Sequence, residues 1–335
     1  MPADVLDVLE NAYRFDGDDA EWLARVGRAM QQQIDPRRVG TVAFLYSLSS
    51  AGQVTVNTVR SFDVPDEIAA LAGAIPQGLP QWYVRQTFAQ VPCESAVHTG
   101  NAKARAFCRT SLTTAFSSVG WRDLLVINGL DPTGNGIYVG AARKTARPLP
   151  RPVRARWTRV AVHLAAAWRL RRSLRAPGAA SLDAAEAVLR PDGKIEHARD
   201  EARASDARTS LTQAARAIER ARTKSGKEGE RAVAEWTSLI AARWSLVDHF
   251  ESDGKRYLVA RRNDVADVGK AELSPRELQA VAFAALGHTN KLIAYEMGIS
   301  AETVRVLLHR AGRKLGAQDR TELITRAGLT FTPTV

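Results

Sequence analysis

The sequence predicts an α+β chain, with two mixed helix-and-strand segments at residues 1–150 and 181–266 and an all-α unit of four short helices at 271–330. Three observations predict it. Apolar runs bounded by turn residues come in pairs at 39–62, 121–143, 187–198 and 243–263. Stretches with the 3.6-residue period separate these pairs. From Leu273 onward every apolar run keeps the helical period, and Gly287, Gly298 and Gly316 punctuate it.

Taken in order, residues 18–33 read as an amphipathic helix, with Trp22, Val26, Ala29 and Met30 at helical spacing. "VGTVAFLYSLSS" and "GQVTVNTVRSF" read as two strands around a turn at Ser50 to Gly52. The stretch from Pro65 to about Thr114 is Ala/Gln-rich and reads as mostly helical, broken at Pro76, Pro80 and Pro92. "WRDLLVINGLD" and "GIYVGAAR" form a second strand pair across the turn-rich "DPTGNG". A long helix follows, from about Pro152 to Arg175. Val153, Trp157, Val160, Leu164, Ala167 and Leu174 fall mainly on one face and the arginines mainly on the other.

The charge is concentrated there. Residues 143–175 hold 11 Lys and Arg and no Asp or Glu, which equals the formal net charge of the whole chain, +11. Such a block attracts a polyanion or forms a solvated helix face. Residues 151–180 are read as this basic helix and a connecting linker, "APGAAS". Beyond it, "AVLRPDGKIEHA" has the strand, Pro-Asp-Gly turn, strand pattern. Helices are expected at roughly 199–223 and 228–242. "RWSLVDHFESDGKRYLVARRN" is the clearest hairpin, turning at "SDG".

The C-terminal unit is written more explicitly. In "LSPRELQA", Ser274 is an N-cap, Pro275 stands at N1, and Glu277 completes a capping box. Leu273 and Leu278 occupy the staple positions. A second helix spans Asn290 to Met297, Gly298 makes the turn, and Ser300 caps a third helix from Ala301 to Leu315. "DRTELITRAGL" is the fourth. Ile293 and Met297 face the stripe of Val304, Leu307, Leu308, Ala311 and Leu315. Small Ala294 permits a close crossing, and this is the arrangement of a helix-turn-helix. The opposite face of the third helix carries Glu302, Arg305, Val306, His309 and Arg313. Val306 is apolar yet lies off the core stripe.

Residues 273–329 resemble the DNA-binding domain of LuxR-type (GerE-like) regulators. The resemblance rests on Leu273, Arg276, Glu277, Gly287, Asn290, Lys291, Ile293, Ala294, Gly298 to Ser300, Thr303, Val304, Lys314 to Gly316, and Arg320 to Leu323. Leu292 departs from the family, which usually carries an acid there, and so does Leu307, where it is often polar. The resemblance implies that Arg305, Val306 and His309 face base edges. It implies that Asn290, Lys291, Thr303 and Lys314 meet phosphates. It also implies that the fourth helix pairs two copies into a homodimer on double-stranded DNA.

In element order alone, residues 1–150 resemble a GAF-type sensor domain and 181–266 a PAS-like module. These imply a small-molecule ligand or a regulatory protein as input. The expected function is a DNA-binding transcriptional regulator. The alternative is an interaction scaffold with a masked or vestigial DNA-binding domain. No phosphoacceptor cluster, P-loop or GxGxxG occurs. "QWYVRQ" matches only a fragment of the acyl-homoserine-lactone-binding pattern. Cys93 and His98 lack a third orienting group, so no enzyme is expected, and no cofactor or metal. Cys93 and Cys108 leave open a redox pair or two buried thiols. His163 and His249 have no metal-ligand partner at useful spacing. The acidic N-terminal run lacks a signal-peptide pattern and no apolar run approaches about 18 residues. A cytoplasmic protein with no membrane association is the expectation.

Overall fold

The computed structural model describes residues 5–49, 51–88, 91–175, 185–223, 244–250, 256–262 and 273–329. The expected linker "APGAAS", the helix at 228–242 and the "SDG" turn lie outside the described residues. The chain is a mixture of helix and sheet ending in a helical unit.

The first sheet has the order β2-β1-β5-β4-β3, all antiparallel, from β1 (Thr41–Leu48), β2 (Val54–Phe62), β3 (Cys93–Ser95), β4 (Asp123–Leu130) and β5 (Asn135–Arg143). Alternation assigns its faces. Ala43, Leu45, Ile127, Ile137 and Val139 point into a core under α1 (Val5–Ala12), α2 (Asp19–Ile34) and α6 (Arg151–Ser173). Phe44, Tyr46, Leu124 and Tyr138 point to the other side. There the sheet is covered by α3 (Asp66–Gln77), α4 (Gln81–Thr87) and α5 (Ala102–Ala115). Both faces are covered, which is why β1 is a continuous apolar run rather than an alternating one.

α6 crosses the sheet closely because of one missing side chain. A Cβ on Gly129 would stand 2.5 Å from the Ala161 carbonyl oxygen and 2.9 Å from the Ala165 nitrogen. Helix α6 is also buried all round its middle, from Val160 to Trp168. Arg171 corrects the expectation of a solvated arginine face. It is 4% exposed, its Nε donates to Asp19 at 3.0 Å, and its Nη1 donates to the Phe15 carbonyl at 2.8 Å.

The second sheet has the order β7-β6-β9-β8, from β6 (Ala187–Leu189), β7 (Ile195–Ala198), β8 (Trp244–Phe250) and β9 (Arg256–Arg262). The two expected strand pairs are joined by β6 against β9. Helix α7 (Ser205–Thr223) packs Leu211, Ala215 and Ile218 into the core that also holds the first sheet. Pro76 lies inside the last turn of α3 instead of breaking the helix before it. Two elements, α1 and the three-residue β3, go beyond the expected pattern.

Four helices close the described chain: α8 (Pro275–Ala285), α9 (Asn290–Met297), α10 (Ala301–Leu315) and α11 (Arg320–Arg326). No described helix is long and apolar enough to cross a membrane.

Candidate nucleic-acid interface and apolar cavity

Each helix of the C-terminal unit is started by a side chain and ended by backbone hydrogen bonds. The Ser274 hydroxyl accepts from the Glu277 N–H at 3.3 Å, and the Glu277 carboxylate accepts from the Ser274 N–H at 2.8 Å. Glu277 also holds Lys314 Nζ at 2.7 Å, tying α8 to the end of α10. Burial pushes its carboxyl up, but the Lys314 and Ser274 hydrogen bonds prevail and hold it below the usual carboxylate range. Thr289 caps α9, Ser300 caps α10 and Asp319 caps α11. Gly298 ends α9 at φ +60°, a conformation that favours glycine, and the Ile299 N–H returns to the Ala294 carbonyl at 3.0 Å.

Ile293, Met297, Val304 and Ala311 are fully or nearly fully buried between the crossed helices, and Leu307 joins them at 9% exposure. Leu307, unusual for the resemblance, is therefore core. Arg305, Val306 and His309 share the solvent face of α10. Val306, at 38%, is the one exposed large apolar side chain among the described residues. The Arg305 guanidinium pairs with Glu302 on the same face. Thr303 is exposed and hydrogen-bonds Ser300, while Lys291 is exposed at the start of α9. The side-chain oxygen of Asn290 accepts from Arg320 at 2.9 Å.

Several ties have no counterpart in the sequence pattern. His288 Nδ1 and the Glu296 carboxylate meet at 2.9 Å, both buried, and Arg320 reaches the His288 carbonyl. Leu292 and Tyr295 lie off the α9 core stripe and are half-buried against Val162 and Ala166 of α6. The Tyr295 hydroxyl meets His163 Nε2 at 3.0 Å, and Tyr13 stands 3.4 Å from His163 Nδ1. Burial depresses the His163 pKa to about 3, so the imidazole is neutral. A tyrosine with no place in its own helix bundle was the available signal for this contact.

Between the sheet and α3 to α5 lies a cavity of about 390 Å³ with no charged residue in its lining. Phe44, Tyr138 and Phe88 form one wall, with Phe44 stacked on Tyr138 at 4.5 Å and Phe88 on Tyr138 at 5.5 Å. Polar groups are few: Ser111, the hydroxyls of Tyr138 and Tyr83, and the Cys108 thiol. Burial raises the Cys108 thiol above its ordinary value and pushes Cys93 up to about 12. Cys93 packs in the core under α6 while Cys108 lines the cavity on the other side of the sheet, as two free buried thiols. His98 meets the Ser95 hydroxyl at 2.8 Å, not Cys93, and that hydroxyl donates to Asp123 at 2.8 Å.

Residues 271–327 match the family described as "Bacterial regulatory proteins, luxR family". A stretch of 56 residues is 54% identical to the HTH-type transcriptional activator RamA of Corynebacterium glutamicum. That stretch is 17% of this chain and 20% of the relative, so the likeness spans a fifth of RamA's length. Across the chain, a crystal structure of Escherichia coli SdiA aligns at 12% identity and a TM-score of 0.30, over 94% of this chain and 92% of that one. SdiA in complex with octanoyl-rac-glycerol aligns at 12% identity and a TM-score of 0.25, over 97% and 95%. The C-terminal segment is a LuxR-type helix-turn-helix, the DNA-binding unit of transcription regulators.

Proposed function

We propose that the chain is a DNA-binding transcriptional regulator that acts as a homodimer, reading the major groove with α10 and answering to a small ligand held in its N-terminal region. The observation that carries this reading is the outward face of α10. A helix-turn-helix holds Arg305, Val306 and His309 in solvent, with an apolar side chain where a monomer gains nothing from one. In a major groove Arg305 can pair with guanine and Val306 can pack on a thymine methyl. Asn290, Lys291, Thr303 and Lys314 are assigned to phosphates, and α11 to the dimer contact. The open α10 face favours this reading over a scaffold with a masked domain.

The element order of the first sheet and its covering helices supports a GAF-like sensor, and the smaller four-stranded sheet a PAS-like one. The cavity supports a neutral, mainly apolar or aromatic ligand with one or two polar groups, since a charged one would find no counter-ion in the lining. Selection of bound sequences from a random duplex pool tests the function. A two-fold symmetric site whose half-sites lie about one helical turn apart is expected; recovery of no preferred sequence would count against it.

A further inference from the structure

We propose that the contact of α6 with Leu292 and Tyr295 of α9 is a latch, which holds the DNA-binding unit on the N-terminal region and competes with a phosphate backbone for the flank of α9. The proposal rests on the assignment of Lys291 to phosphate given above.

Lys291 and Tyr295 are four residues apart on one helix, so they stand one above the other on the same face. Leu292, three residues before Tyr295, borders that face. This flank of α9 is where a duplex backbone must run if Lys291 is to reach it. In the structure α6 already occupies its lower turn. Val162 and Ala166 pack on Leu292 and Tyr295. His163 bonds the Tyr295 hydroxyl at 3.0 Å, and the Arg159 guanidinium stands 5.7 Å from the centre of the Tyr295 ring. Because α6 is built into the core beneath the first sheet, its position brings the whole N-terminal region with it.

The contact has the character of one that opens. At α6, two half-buried side chains, a hydrogen bond between neutral groups and a cation–π contact make a small, partly wet patch of the reversible inter-domain kind, separate from the apolar cluster that α8 shares with Leu48, Val54 and Leu130 of the first sheet. It leaves the base-reading face of α10 uncovered. What it restricts is the approach of the backbone beside Lys291. The opposite role is the alternative the test must decide: the arginines of α6, Arg159 first, could extend the phosphate footprint.

The full chain carrying Ala166→Cys and Leu292→Cys joins the two helices by a disulfide under a mild oxidant, while Cys93 and Cys108 stay buried. Affinity for the duplex selected from the pool is read by fluorescence anisotropy on the same sample, oxidised and then reduced. The latched, oxidised form is expected to bind about tenfold more weakly. Tyr295→Ala without the cysteines is expected to bind tighter than the parent chain. Failure of the disulfide to form, equal affinities in both states, or tighter binding when locked would each overturn the latch, the last in favour of a composite DNA surface. Absence of duplex binding in every form, the Tyr295→Ala protein included, would sink the DNA-binding reading itself.

Discussion

His163 and Tyr295 lie 132 residues apart in sequence and share a 3.0 Å hydrogen bond, by which a fully buried ring of the N-terminal core meets the helix-turn-helix. The two nitrogens of His163 meet the hydroxyls of Tyr13 and Tyr295. A neutral imidazole suits both, since it offers one donor and one acceptor.

The burial of His163 sets a pH dependence. The folded pKa of His163, about 3, lies below the unfolded value of about 6.5. The unfolded chain therefore binds a proton first as pH falls. Stability is full above pH 6.5 and drops by about 1.4 kcal/mol per pH unit from this group as pH falls towards 3. Urea unfolding of the parent chain and of His163→Gln between pH 7.5 and 5 checks it. The variant should lose this part of the slope; an unchanged slope would assign the acid sensitivity elsewhere.

Arg305→Ala should weaken binding to the selected site by about ten- to a hundredfold and relax the preference at one base position. Lys291→Ala should weaken binding evenly across sequences and lower the salt dependence by about one ion. Anisotropy titrations over a salt series, on the preferred site and on single-base variants, separate the two. If Arg305→Ala kept the parent's base preferences, α10 would not be reading the groove.

Gly129→Ala should destabilise by about 1–3 kcal/mol or more, because its new methyl meets backbone atoms of α6 that cannot rotate away. Displacing α6 also moves His163, so the loss of thermal stability should come with easier proteolysis between the N-terminal region and α8. A variant as stable as the parent would mean that the sheet and α6 are less closely packed than 2.5 Å implies.

The cavity should discriminate by charge. Indole at about 100 times its Kd should raise stability by about 2.7 kcal/mol, measured by thermal unfolding. Benzoate, of similar size but anionic, should have no such effect. Ala115→Trp, which fills the space from α5, should abolish the indole response. Equal stabilisation by the two compounds would show that binding is not in this uncharged cavity.

What could be read from the sequence depended on distance along the chain. The capping box at Ser274 and Glu277, the turn at Gly298 and the strand pairs β1–β2, β4–β5 and β8–β9 are made by near neighbours, so their periods and punctuation are visible in the residue order. β3 is three residues long and owes its existence to pairing with β4, which periodicity cannot register. Arg171 looked like one more solvated arginine because its partner Asp19 is 152 residues away. Leu292 was visible only as a departure from a resemblance; its environment is Val162 and Ala166, on a helix of another region. Lys314, assigned to phosphate, is bonded to Glu277, and only the fold brings those two together.

Helix α8 has a consequence for modularity. Seven consecutive residues, Ala280 to Leu286, are buried, more than a single stripe would need. Their apolar cluster is continuous with Leu48, Val54 and Leu130 of the first sheet. A transplanted copy of this unit would carry a greasy seam cut to fit its original host. Fusing it to a foreign input domain would call for recarving that seam, and grafts that ignored it would tend to clump rather than regulate.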